Sequence, residues 1–378
     1  MKFLHTGDWH IGKKIKGYSL LEEQLEAYEQ VLAIAKRHQV DAVVIAGDLY
    51  DRRVPSIEAV ELFNQMVQRM NLTEQLPLLT IAGNHDSAVR LEAGGPWYEA
   101  TQFYLHTRLA QAFEPVVIGK TQFFLLPYFE PFEARQYFGD ESLKGIQEAM
   151  SLVIEKMQTL FNPDCQQVLV AHFFAAGSER TDSETAVTVG GLDNVSVSML
   201  EKAFDYVALG HLHNRHALKN DTVKYSGTLL KYSLSEVNQT KGVWLVTIEE
   251  GNVSLEFEAI QPLRDVISIE GTFAELLSPE FYQTIKRDNY IGIRLTDREV
   301  IPNVMNQLAK VYPKVIQLDR VNGREHQLTA SMSQSDLQKQ TPTELFAQFF
   351  EEMTDSQLSE AQQSYLNEMI QATTKEEG

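Results

Sequence analysis

The chain has 378 residues, 43% of them hydrophobic and 22% charged, so it has the make-up of a soluble protein with room for two or three domains. With 33 Lys and Arg against 52 Asp and Glu, its formal net charge of -19 argues against unaided binding to nucleic acid or membrane surfaces; a polyanionic substrate needs metal ions or a basic partner. The single Cys165 excludes an internal disulfide, the opening MKFLHTGDWH turns polar too soon for a signal peptide, and no run approaches the ~18 apolar residues of a membrane span, so the expected location is cytoplasmic.

In chain order, KFLHTGD reads as a short strand and EEQLEAYEQVLAIAKRH as an amphipathic helix, with Leu25, Tyr28, Val31, Leu32 and Ala35 on one face. VDAVVIAGD is a strand, SIEAVELFNQMVQRM a helix and LPLLTIAGNHD a strand again. This alternation implies parallel pairing, and the near-continuous apolar runs suit strands covered on both faces. TQFFLLPYF, QQVLVAHFF, FDYVALGHLH and TVKYSG follow as strands with fewer helices between them. GVWLVTIEEGNVSLEFEAI reads as a hairpin turning at EEGN. The first 260 or so residues are thus expected to form one α/β unit with two sheets, the second richer in antiparallel pairing.

After QPLRD the pattern becomes a small α+β module, with VISIEG and YIGIRLT as strands and VIPNVMNQLAKVY as a helix. From Thr341 the period is helical. TPTELFAQFFEEM opens with a capping box, Thr341 to Glu344, has Pro342 at the first helical position, and carries the stripe Leu345, Phe346, Phe349, Phe350 and Met353. After a break at TDS, Leu358, Ala361, Tyr365, Met369 and Ile370 approximate a second helical face.

Polar residues collect at the strand ends: Asp8 and His10, Asp48, the triplet Asn84, His85 and Asp86, then His172, and finally His211 and His213. Four of these five blocks have a glycine immediately before them, where a missing side chain lets the backbone turn sharply. In an open α/β sheet the carboxyl ends of the strands converge on one crevice. Any block alone is an ordinary turn or a hydrogen-bonded histidine; five at successive strand ends favour metal binding. Asp, Asn and His together suit manganese, iron or zinc rather than calcium. Asp8, His10, Asp48, Asn84, His172, His211 and His213 are too many for one ion and fit two, about 3.5 to 4 Å apart and sharing a carboxylate.

The ordered set GDWH, GD, GNHD, a single His and GHLH resembles the calcineurin-like metallophosphoesterase superfamily, whose fold is a two-sheet sandwich flanked by helices. More narrowly, FLHTGDWHIGK, VVIAGDLYDRRVPS, TIAGNHDS, VALGHLH and KYSGTLLKYSLSE resemble the SbcD nuclease family, the catalytic subunits of SbcCD complexes. One departure is the NRH after GHLH, where members commonly carry Arg-Pro. The resemblance implies that residues 1–262 form the nuclease domain, 263–338 a capping domain and 339–378 a helical tail that docks on the coiled coil of an SbcC-type ATPase. It implies two divalent ions, most fittingly Mn2+, one on Asp8, His10, Asp48 and His213 and the other on Asp48, Asn84, His172 and His211. His85 would act as the acid, with Asp86 orienting its ring. The implied activity is ATP-dependent double-strand exonuclease and single-strand and hairpin endonuclease action on DNA in repair and recombination. The implied assembly is a homodimer within a heterotetramer. In that reading SbcC would supply the grip on DNA together with local cations such as Arg52 and Arg53, a pair that reads equally well as a solvated loop. A metallophosphodiesterase acting on small nucleotides is the alternative, and a scaffold without catalysis is disfavoured because every ligand position is filled.

Overall fold

The computed structural model describes residues 1–178, 181–182, 194–299, 301–321, 341, 343–344, 346–347, 350 and 357–376, in two compact units, Met1–Val266 and Ile267–Gly378. The first unit holds β1 (Lys2–Thr6), β2 (Lys14–Ile15), β3 (Tyr18–Ser19), β4 (Ala42–Ala46), β5 (Leu78–Ile81), β6 (Phe103–His106), β7 (Val116–Ile118), β8 (Thr121–Leu126), β9 (Gln166–His172), β10 (Tyr206–Gly210), β11 (Val223–Tyr225), β12 (Gly242–Glu249) and β13 (Asn252–Ala259). One sheet runs β13-β12-β1-β4-β5-β6 and the other β11-β10-β9-β8-β7, with β2 and β3 pairing as a separate hairpin.

The apolar runs have two faces to fill. On β8, Phe123 and Leu125 point between the sheets, while Phe124 and Leu126 point to an outer core covered by the helix Ile146–Gln158; Val168 and Val170 against Leu169 and Ala171 on β9 do the same. Phe3 and Phe123 meet edge to face at 5.3 Å across the inter-sheet core. At about 1.5–3 kcal/mol for each fully buried large side chain, this double burial is why period-two alternation of polar residues is missing from these strands.

The second sheet departs from the expected pairing. β8, β9, β10 and β11 are mutually parallel, and only β7 to β8 is antiparallel. The reason is that Ile146–Gln158 and Val197–Ala203 are crossover helices between successive strands. The predicted hairpin forms as β12 and β13, turning at Glu250 and Gly251, both at positive φ, and it joins the first sheet antiparallel to β1.

The first helix spans Leu21–Arg37 and buries Tyr28, Val31, Leu32 and Ala35 as expected, but Leu25 is exposed and Gln24 takes the inward place. The second, Ile57–Val67, is capped by Ser56, whose Oγ accepts from the Ala59 N–H. Their Tyr28 and Phe63 rings both meet the buried Trp9 edge to face. These aromatic contacts pin the loop that follows β1.

The second unit pairs β14 (Val266–Gly271), β15 (Tyr290–Leu295) and β16 (Val315–Arg320) in a three-stranded sheet, with Ile291, Ile293, Leu295, Leu308 and Tyr312 in its core. Its helix Val304–Val311 matches the expected segment. The capping box at Thr341 and Glu344 is formed in both directions, and a last helix spans Glu360–Glu376. Pro342, Leu345, Phe349, Met353 and the TDS break lie outside the described residues. Phe346, Tyr365 and Met369 are exposed. Among the described residues no helix is long and apolar enough to cross a membrane.

Candidate metal centre

All five predicted blocks meet at one end of the sandwich. Asp8 follows β1, Asp48 follows β4, Asn84 follows β5, His172 ends β9 and His211 follows β10, so both sheets deliver side chains to the same crevice. Asp8, His10, Asp48, His172, His211 and His213 are buried; Asn84 and His85 are half-buried.

The backbone is bent to achieve this. Asp8, His10, Asp48 and His211 have φ of 51°, 45°, 50° and 91°, in the left-handed region that residues other than glycine rarely enter. At about 1–3 kcal/mol each, such strain persists only where surrounding structure holds it, and it clusters at functional sites. The glycines before the blocks act in two ways. Gly47 has φ of 86° and makes the expected sharp turn. Gly83 and Gly210 serve close approach instead: an added Cβ would strike the Asp48 carboxylate at the first and the Ala46 carbonyl oxygen at the second.

Donor atoms converge in two sets. In the first, His10 Nε2 lies 3.2 Å from His213 Nε2 and 3.6 Å from Asp48 Oδ2, and Asp8, His10 and His213 are within reach of one point. In the second, Asn84 Oδ1 lies 2.9 Å from His172 Nε2 and 3.2 Å from His211 Nδ1, while His172 Nε2 is 3.4 Å from Asp48 Oδ2. Two imidazole nitrogens facing each other at 3.2 Å need a proton or a cation between them. Ligands bound at about 2.0–2.1 Å around a tetrahedral ion stand about 3.3 Å apart, so the spacing fits a metal. His172 Nδ1 lies 2.8 Å from the Ala46 carbonyl oxygen and donates there, which turns Nε2 to the site.

Electrostatics agree with the donor set. Burial disfavours charge on Asp48, but His172 and His10 beside it hold its carboxyl well below the usual range. Burial likewise opposes charge on His172, yet Asp48 and Asp8 raise it to about 9. A pair of buried carboxylates that draws a proton onto an imidazole draws a divalent cation in the same way, and the two compete. Affinity for a divalent ion is therefore expected to climb with pH up to about 9, by about tenfold per unit for each proton displaced. Without added metal the sign is opposite: the raised His172 stabilises the fold below its ordinary pKa of 6.5 and loses that contribution as pH rises through about 9. Calorimetric titration and melting across pH 6.5 to 9 check both; a flat affinity profile would contradict the first.

The triplet after β5 differs from expectation in one respect. Asp86 does not orient His85; its oxygens accept the backbone N–H groups of Gly83, Leu49 and Tyr50, which ties the loops after β4 and β5 together. Burial and the nearby Asp48 raise its carboxyl to about 6 in spite of those donors. His85 is instead held by its own backbone, whose N–H donates to Asp48 Oδ1 at 2.9 Å, and by the Asp51 carbonyl oxygen, 2.9 Å from Nδ1. The carbonyl does the orienting because Asp51 follows the same bent loop as Asp48.

Several supporting residues carried no metal-like pattern in sequence. Gln24 donates from Nε2 to the His10 carbonyl at 2.8 Å, and the Tyr232 hydroxyl donates to the Trp9 carbonyl at 2.6 Å. Glu236, fully buried, pairs with Lys241 at 2.5 Å, and Lys241 Nζ also donates to the His213 carbonyl at 2.8 Å. Against the cost of burial, Lys241 and His213 hold Glu236 down at about 2. The signal available for it was its place at the end of KYSGTLLKYSLSE. Lys241→Met leaves a buried carboxylate without its cation and is expected to destabilise the chain by about 3–5 kcal/mol in urea unfolding.

A family model described as calcineurin-like phosphoesterase matches residues 1–215, and one described as the type 5 capsule protein repressor C-terminal domain matches residues 262–354. A Staphylococcus epidermidis protein, the D component of the nuclease SbcCD, is 34% identical over 379 residues, covering 100% of this chain and 100% of that protein. Among solved structures, TT1561 of Thermus thermophilus aligns with 68% of this chain and 98% of its own at 13% identity and a TM-score of 0.41. A dimetal phosphatase from Danio rerio aligns with 68% of this chain and 96% of its own at 10% identity and a TM-score of 0.44.

Proposed function

Because the chain belongs to the calcineurin-like phosphoesterase family, as an SbcD nuclease similar over its full length to the Staphylococcus protein, we propose how its own residues carry out the reaction. The protein is a phosphodiester-hydrolysing nuclease subunit of the SbcCD type, and its site takes divalent metal ions. Asp8, His10, Asp48 and His213 hold one ion and Asp48, Asn84, His172 and His211 the other, with Mn2+ as the working metal. When bound, such ions activate a water for in-line attack and neutralise charge on the phosphoryl oxygens.

His85 supplies the proton. With Nδ1–H donated to the Asp51 carbonyl, Nε2 is the ring atom that passes a proton to the leaving alkoxide. Its ring stands edge to face on His10 at 4.8 Å, which holds it beside the proposed ligands. The observation that carries this reading is the pair of buried carboxylates, Asp8 and Asp48, among ring nitrogens from both sheets. Linear duplex DNA assayed against a small chromogenic phosphodiester, each with Mn2+ and with chelator, tests it. Metal-dependent cleavage of DNA is expected; cleavage of the small diester alone would favour the nucleotide phosphodiesterase.

The division into residues 1–262, 263–338 and 339–378 assigns the tail to a coiled coil of an SbcC-type ATPase. Exposed Phe346, Tyr365 and Met369 support a docking role, since amphipathic helices can bury such side chains in a partner's groove. Homodimers within a heterotetramer, DNA as substrate and a cytoplasmic location complete the reading. Truncation at about residue 338 is expected to leave a folded, metal-dependent nuclease that no longer co-purifies with SbcC and is no longer stimulated by ATP. A truncated chain that still forms the complex would contradict the assignment.

A further inference from the structure

At the edge of the sandwich, next to the metal centre, stand two cations that pair with no carboxylate among the described residues. Arg215 follows His213 by two residues, a Cα span of at most about 7 Å. Its guanidinium carbon lies 3.5 Å from the centroid of the Phe257 ring and 5.8 Å from that of Trp244. Lys224 Nζ lies 5.6 Å from the same Trp244 ring, and the two rings pack at 5.2 Å and 66°. The strands explain the meeting. β11 and β13 are the edge strands of their sheets, Trp244 pairs with His5 three residues before Asp8, and Lys224 pairs with Ala208 three residues before His211. The cluster therefore sits at the catalytic end of both sheets.

Among the described residues the cluster lacks a counter-charge, as Arg53 and Arg90 also do, and adds to this a guanidinium stacked on aromatic rings with a buried Nε that has no hydrogen-bond partner. In a chain with 52 acidic residues, Arg52 pairs with Asp51 at 3.6 Å, and Arg37, Arg69, Arg108 and Arg264 all face carboxylates. Among the described residues, Arg215 and Lys224 have no carboxylate within ion-pair distance, and Arg215 Nε is buried without a hydrogen-bond partner. Asp221 acts on Lys224 only from beyond that distance, and both cations act on the exposed His216. A buried donor without a partner costs free energy and calls for a physical explanation. Stacking fixes the guanidinium plane and leaves its edge for bidentate contact with phosphate oxygens.

We propose that Arg215 and Lys224, braced by Phe257 and Trp244, bind a backbone phosphate of the DNA strand a few nucleotides from the one being cut. This deepens the nuclease reading and rests on it. It also answers the charge problem: an acidic chain needs local, unneutralised cations to hold a polyanion near the metals.

The test uses the full chain, with Arg215→Gln, Arg215→Lys and Lys224→Gln. Binding of a short fluorescent single-stranded oligonucleotide is measured across salt concentrations, and kcat/KM is compared between oligonucleotide and a small chromogenic phosphodiester. Each Gln variant is expected to bind about tenfold more weakly, with a salt slope shallower by about one, and to lose that factor in the ratio of the two kcat/KM values. Arg215→Lys should recover part of it. Melting curves for each variant, and the second position on a different strand, separate lost contact from lost fold. Unchanged binding and salt slope in both Gln variants would overturn the proposal while leaving the nuclease reading intact. A wild-type chain that cleaves the small diester but not DNA would overturn both.

Discussion

Asp48→Ala is expected to empty the site of metal and reduce phosphodiester cleavage to background. Asp48 is the carboxylate that faces both donor sets, with Oδ2 at 3.6 Å from His10 Nε2 and 3.4 Å from His172 Nε2, and it is 2% exposed. In the proposed arrangement its removal would take a ligand from each ion at once. The loss should exceed the about 10²- to 10³-fold that follows removal of a single electrostatic donor. The fold should survive, because Asp48 lies past the end of β4 and outside the hydrophobic cores. Its φ of 50° makes alanine costly by about 1–2 kcal/mol, so Asp48→Asn, which tolerates that conformation and keeps an acceptor for the His85 N–H, isolates the charge. Both variants should fail to cleave. Retained activity in a preparation shown to be free of wild-type protein would sink the bridging assignment.

The second large effect separates chemistry from binding. His85→Gln should keep two ions bound yet slow cleavage by about 10²- to 10⁴-fold, the range for a lost general acid or base. The backbone N–H of residue 85 still donates to Asp48, so the ligand keeps its position. Metal content measured on the same sample decides the matter, since loss of an ion would make His85 a ligand.

Much of the site could be read from strand ends, because a metal centre at the carboxyl edge of a parallel sheet needs its donors immediately after apolar runs, as in VVIAGD and VLVAH. The left-handed backbone of Asp8, His10, Asp48 and His211 could not, since Asp and His enter that region more readily than most residues yet usually lie outside it. Nor could the supports. Gln24 looks like a solvated position on an amphipathic helix, and Leu25 like its core neighbour, but one turns inward to hold the His10 carbonyl and the other is exposed. Asp51 acts through its main chain, which every residue has. In the fold, the helix Ile146–Gln158 carries a legible period at Ala149, Met150, Val153, Ile154 and Met157, and a helix at that place between strands implies a crossover and parallel pairing in the second sheet. The strand FYLH of β6 is four residues long and ends in a buried His106, too short for alternation to separate it from a loop.

We propose that the crevice would hold two ions with Asp48 serving both. Titrating the chelator-treated full chain with Mn2+, while counting bound ions by native mass spectrometry and following cleavage of linear duplex DNA, is the decisive measurement. Two ions per chain are expected, with cleavage appearing as the second binds. Full cleavage at one ion per chain, or cleavage with none, would rule this arrangement out.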